Sequence, residues 1–172
     1  MSQSKELERK NTTFRRLLLA KQLYIHGLEH ANKFGALNKM IAVHNLHNAL
    51  EIVLRSILLH YEIRAEKQLN IEFETMLNEI DGFEDFKKKG KKLPYRQELR
   101  NLNQLRNLVQ HHAYEPESSS MEEWKVFSRR FLEIAFKEYF QVDFNSVSSI
   151  DLIDDELLRA ILTLAASGIL DK

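Results

Sequence analysis

Residues 36–61, ALNKMIAVHNLHNALEIVLRSILLHY, run without a glycine or a proline. Within them Ile41, Leu46, Leu50, Val53, Leu54, Ile57 and Tyr61 recur at helical spacing, so the pattern predicts one long helix fit to be the central rod of a bundle. Gly35 offers a break just before it. Upstream, Phe14, Leu17, Leu18, Tyr24, Ile25 and Leu28 repeat the same period and predict an earlier helix over 5–34. Two long amphipathic segments in succession, with no alternating stretch between them, place the chain in the all-α class.

Working outward, Asn70 is positioned to cap a third helix over 71–80, which Asp81-Gly82 would end. Pro94 suits the first turn of a fourth helix over 95–113. Pro116 biases Glu115 away from helix, and Ser118 to Ser120 extend the loop. Ser120-x-x-Glu123 then reads as a capping box opening a fifth helix over 121–140. A last amphipathic segment is expected to end near Gly168. The expectation is an all-α antiparallel bundle of about five to six helices forming one domain over 1–172. The closing residues 151–172 also read as the start of a further segment of a longer protein.

Composition agrees. Five Gly and two Pro in 172 residues permit long helices, and the chain is large enough to bury a core without staples. The absence of Cys removes disulfides, thiolate metal sites and Cys nucleophiles together. Lys+Arg and Asp+Glu balance at 25 each, so any nucleic-acid contact has to come from a local patch. Residues 1–10 carry no apolar run of a secretory signal, and no stretch approaches the roughly 18 apolar residues of a membrane span. A cytoplasmic protein with no membrane association is expected.

The fourth helix carries the chemistry. At about 100° per residue, Leu99, Leu102, Leu105, Leu108, Val109 and His112 fall on one side. Asn103, Asn107, Gln110 and His111 fall on the other, with Arg106 at the border. The second face is polar yet almost uncharged, whereas solvated helix faces usually carry Glu and Lys pairs. A row of Asn, Gln, Arg and His offers directional hydrogen bonds suited to a site or a specific interface.

The segment Leu105-Arg106-Asn107-Leu108-Val109-Gln110-His111 resembles the R-x(4–6)-H motif of HEPN (higher eukaryotes and prokaryotes nucleotide-binding) domains, which often have a polar residue directly after the Arg. The likeness extends loosely to the long preceding helix around His47-Asn48-Ala49-Leu50-Glu51. The resemblance implies a metal-independent endoribonuclease acting on RNA as a homodimer, its two motif helices facing each other across a two-fold axis. It also implies a toxin or antiviral-defence setting, with an antitoxin or regulatory protein as a further partner. In such a site His111 would transfer protons, Arg106 would fork onto phosphate oxygens, and Asn107 would orient the imidazole or the phosphate. His112 supplies an equally legal R-x5-H reading and is the alternative catalytic histidine; its other reading is a core or interface histidine on the apolar stripe. The second functional reading is a non-catalytic dimeric HEPN module that binds RNA, a nucleotide or a partner protein.

Lys87, Lys88, Lys89, Lys91, Lys92, Arg96 and Arg100 gather cations before the motif helix. Of these, Lys88, Lys89, Lys91, Lys92 and Arg96 are the candidate track for an RNA backbone, against the simpler reading of a solvated loop. Phe83, Phe86, Trp124, Phe127, Phe131 and Phe136 read as core or dimer packing. His26-Gly27-Leu28-Glu29-His30 matches the H-x-x-E-H pattern of some zinc proteases, but no third ligand is identifiable. His44-x-x-His47 is similarly a candidate metal pair and reads better as packing or surface. No metal and no cofactor is therefore expected, and no Gly-rich phosphate loop is present. RNA cleavage should accordingly persist in EDTA. Activity abolished by chelation and restored by zinc or magnesium would move the assignment to a metal enzyme.

Overall fold

A computed structural model describes residues 3–152 and 156–166. Among the described residues the chain is all-helical, with seven α-helices and two 3₁₀ turns. Helices α1 (Gln3–Ala31) and α2 (Ala36–His60) form a hairpin across Gly35, whose φ of 99° lies in the left-handed region. A 3₁₀ turn at Glu66–Gln68 leads to α3 (Phe73–Gly82) and the short α4 (Glu84–Lys88). Then follow α5 (Arg96–His112) and α6 (Ser118–Phe140). A second 3₁₀ turn, Ser149–Leu152, contacts α7 (Glu156–Ala166).

α2 is the hub and touches α1, α3, α5 and α6. Ala42, Val43, Leu46, Ala49, Leu50, Val53, Leu54, Ile57 and Leu58 are all buried on it. They meet Leu17, Ala20 and Tyr24 of α1, Met76, Leu77 and Ile80 of α3, Leu99, Leu102 and Val109 of α5, and Phe131, Leu132, Phe136 and Tyr139 of α6 in one core. Each buried Leu or Phe contributes about 1.5–3 kcal/mol, so this rod and its neighbours carry most of the stability. The apolar pattern of 36–61 was informative for that reason.

Several local readings give way to better-placed partners. Asn70 does not cap α3, which starts two residues later behind Glu72. Pro94 lies outside the first turn of α5, since Tyr95, at φ 55°, occupies the N-cap. The capping box at Ser120 does not form. Helix α6 begins at Ser118 behind Glu117, and the Ser120 hydroxyl donates to the Glu117 carbonyl instead. The basic stretch is partly helical because Phe86 buries its ring and draws α4 onto the bundle. Ile25, expected in the core, is 44 % exposed. The expected end of the last helix near Gly168 lies outside the described residues, as does much of 151–172.

Trp124, Phe127, Phe131 and Phe136 do pack in or against the core. Phe83 and Phe86 join Tyr61 and Tyr139 in an aromatic cluster with mostly edge-on rings. Among the described residues no helix is long and apolar enough to cross a membrane.

Gly27 has a steric role inside α1. A Cβ built there would lie 3.1 Å from Leu46 Cδ2, 3.2 Å from Leu46 Cγ and 3.3 Å from Asn45 Cβ. Leu46 is fully buried and has little room to yield. Gly27→Val should therefore destabilise the fold by about 1–3 kcal/mol through overpacking. A chemical-denaturation midpoint unchanged from wild type would contradict this close approach.

Candidate functional site

The polar face of α5 meets α2 and the start of α3 in a cleft of about 270 Å³. Its walls are His47 and Glu51 from α2, Ile71 to Glu74 from the entry to α3, and Asn103, Arg106 and Asn107 from α5. Arg106 and Asn107 follow Asn103 by three and four residues, which puts all three toward one side of the helix. Leu99, Leu102 and Val109 anchor that helix in the core.

His47 is 2 % exposed. Its Nε2 lies 3.0 Å from Asn103 Oδ1, and its ring packs 5.1 Å from the Phe73 ring. Nδ1 faces Glu51 Oε2 at 3.6 Å, within ion-pair range but beyond a hydrogen bond. Glu51 is otherwise engaged, accepting from Arg55 Nε at 3.0 Å and Nη2 at 2.6 Å. Arg106 donates through Nη1 to Asn107 Oδ1 at 2.9 Å. His47 Nδ1 and Arg106 Nε are buried and have no hydrogen-bond partner among the described residues.

Burial pushes the His47 imidazole below its ordinary value; Glu51 pulls it back up, and Arg106 pushes it further down. His44, on the same helix, is lowered by burial and then by Arg106. Both rings are thereby biased toward the neutral form beside a fixed cation.

Arg106 and Asn107 thus come together, and Asn103 joins them. His111 does not. It is exposed on the last turn of α5 and does not line the cleft. Five residues of helix separate it from Arg106, about 7.5 Å of axial rise. His112 is also exposed, so the reading that puts it in the core of the single chain is corrected. The cause is the helix end. Ala113, at φ 50°, closes α5 immediately after His112, and Leu108 on the same stripe is itself 45 % exposed. The apolar stripe outruns the bundle that covers it.

The basic track divides. Lys88, Lys89 and Lys92 are exposed. Lys91 donates to the Glu138 carbonyl and lies 4.0 Å from the Tyr139 ring centroid, while burial lowers its ammonium below the ordinary value. Arg96 donates to the Leu77 carbonyl and Asn78 and pairs with Asp81 and Glu74. These two cations tie the bundle together and are poorly placed to follow an RNA backbone.

The histidines of the H-x-x-E-H pattern face asparagines of α2. His26 Nδ1 lies 3.1 Å from Asn45 Nδ2, and His30 Nδ1 lies 2.8 Å from Asn38 Oδ1. Among the described residues no three His, Asp or Glu side chains gather as a metal-ligand set.

Sequence reasoning missed His47, Glu51 and the entry to α3 as cleft residues. A signal was present. His47, Glu51 and Arg55 recur every four residues, drawing one polar line along the helix.

The depressed His47 and His44 values fix the sign of a pH effect. A group whose folded pKa lies below its unfolded value, about 6.5 for His, stabilises the fold fully above that value. The contribution is lost as pH falls through the lowered one. Melting temperature should therefore drop between about pH 7 and 5, and His47→Gln should flatten that drop, leaving the His44 part. An identical pH slope in the variant would contradict it. No family model, no curated protein and no solved structure matches this chain.

Proposed function

We propose that this chain is a HEPN-type, metal-independent endoribonuclease that acts on RNA as a homodimer in a toxin or antiviral-defence setting. The observation that carries the reading is Arg106. It stands on the wall of an open polar cleft with a buried Nε–H that meets no acceptor among the described residues. Glu51 is held by Arg55, and Glu74 by Arg96 and Arg100. No carboxylate pairs with Arg106 among the described residues, which leaves its charge for an anionic ligand.

His111 and Arg106 point about 140° apart on one helix. A two-fold pairing of α5 with its copy would bring the His111 of one chain toward the Arg106 of the other. Exposed Leu108 lies between them in sequence and supplies apolar surface for such a contact. In the reaction His111 takes the proton of a ribose 2′-hydroxyl as its oxygen attacks the adjacent phosphorus. The 5′-oxygen leaves with a proton returned by the imidazole, giving a cyclic phosphate. Arg106 stabilises charge on the phosphoryl oxygens. Exposed Lys88, Lys89 and Lys92 remain as the salt-sensitive track for flanking RNA.

A second reading is a non-catalytic dimeric module that binds RNA, a nucleotide or a regulatory protein such as an antitoxin. It is favoured by the separation of His111 from the cleft and by exposed Glu72 on the cleft rim.

His111→Ala should lower cleavage by about 10²–10⁴-fold with little change in melting, because the side chain is exposed. Arg106→Ala should lose comparably, and Arg106→Lys should rescue little, since a point charge does not reproduce the guanidinium fork. Loss of cleavage in His112→Ala with retention in His111→Ala would move the proton-transfer role to His112. A wild-type dimer that binds RNA and never cuts it would favour the binding module.

A further inference from the structure

Two carboxamides line the cleft, and a protein donor holds the oxygen of each. Asn107 Oδ1 accepts from Arg106 Nη1 at 2.9 Å. Asn103 Oδ1 lies 3.0 Å from His47 Nε2, a hydrogen bond when that ring nitrogen carries the proton. A carboxamide with its oxygen engaged turns its NH₂ the other way. The Asn103 and Asn107 amides therefore offer the cleft donors, beside the Arg106 guanidinium.

The tautomer of His47 decides this polarity. With the proton on Nε2, Nδ1 carries a lone pair that faces Glu51 Oε2 at 3.6 Å, and the Asn48 side chain also bears on the ring. Two acceptors then face each other, and Glu51 would favour the opposite tautomer if it came closer. Arg55 holds the other oxygen, Glu51 Oε1, through two donors. Arg55 also donates to the Leu69 carbonyl, which fixes it in turn. Were the proton on Nδ1, Asn103 would have to turn over to donate to Nε2. Its oxygen would then face the cleft and repel a phosphate.

We propose that His47 is a positioning residue that, through its Nε2–H tautomer, fixes Asn103 as an amide donor to a phosphate group bound at Arg106. The inference rests on the cleft being the anion-binding part of the proposed ribonuclease site. It adds two residues to that site, one that touches phosphate and one that acts through it. His47 suits the second role because burial and packing on Phe73 leave the ring no other use for Nε2.

The test has two arms on the full chain. Imidazole ¹⁵N resonances at neutral pH should assign His47 to the Nε2–H tautomer; the Nδ1–H tautomer overturns the proposal. In the second arm a labelled single-stranded RNA and inorganic phosphate are titrated against variants whose folding is checked by melting. Asn103→Asp should weaken both ligands by roughly tenfold or more, since a donor to an anion becomes a like charge. His47→Leu should weaken them by a similar factor. His47→Gln, which can still donate to Asn103 Oδ1, should recover most of that loss. A purely structural His47 would instead lower melting while both variants bind alike. Phosphate binding that depends on His47 without RNA cleavage would sink the ribonuclease reading and leave this one standing. Cleavage and binding indifferent to Asn103 would do the reverse.

Discussion

Burying α2 on most of its circumference leaves its polar side chains only the partners that neighbouring helices supply. A polar group taken out of water without a hydrogen bond costs roughly 1–3 kcal/mol, so those partners are not optional. Ser56 bonds back to the Ile52 carbonyl at 2.7 Å, and Glu51 takes Arg55 from its own helix. His47 has Glu51 and Asn48 nearby on its own helix and also reaches across to Asn103. Together with buried Leu99, Leu102 and Val109, that contact fits α5 against α2. Because Arg106 and Asn107 follow Asn103 by three and four residues, the same fit sets where they stand.

Charge placement follows the same logic. Glu74 accepts from Arg96 and Arg100 at 2.5–2.9 Å, and Arg64 grips Glu79. Such half-exposed pairs contribute little stability individually. Those of Arg96 and Arg100 engage Glu74 on the cleft wall, while Glu72 on the same wall is exposed. Arg106 stands on that wall with no carboxylate partner among the described residues.

The legible part of the sequence was whatever one helix decides alone. The apolar period of 36–61 gave the rod, and the uncharged polar row of α5 marked the helix whose Asn103, Arg106 and Asn107 line a cleft. Features that depend on distant residues were not legible. Lys91 looks like a solvated lysine until Tyr139 and the Glu138 carbonyl arrive from α6. Arg96 looks free until Asp81 and Glu74 arrive from α3. His112 sits on the apolar stripe of an ideal helix, yet α5 stops at Ala113 before the bundle can cover it. The polar line of His47, Glu51 and Arg55 marks a face of α2, but the partner Asn103 comes from a helix distant in sequence.

In the proposed enzyme, Arg106 of one copy works with His111 of the other. Mixing Arg106→Ala chains with His111→Ala chains tests this directly, because a mixed dimer would keep one intact composite site of its two. The account predicts that two separately inactive proteins, allowed to exchange subunits, recover up to about a quarter of wild-type RNA cleavage. Exchange demonstrated by mass spectrometry with no recovery of cleavage would contradict it.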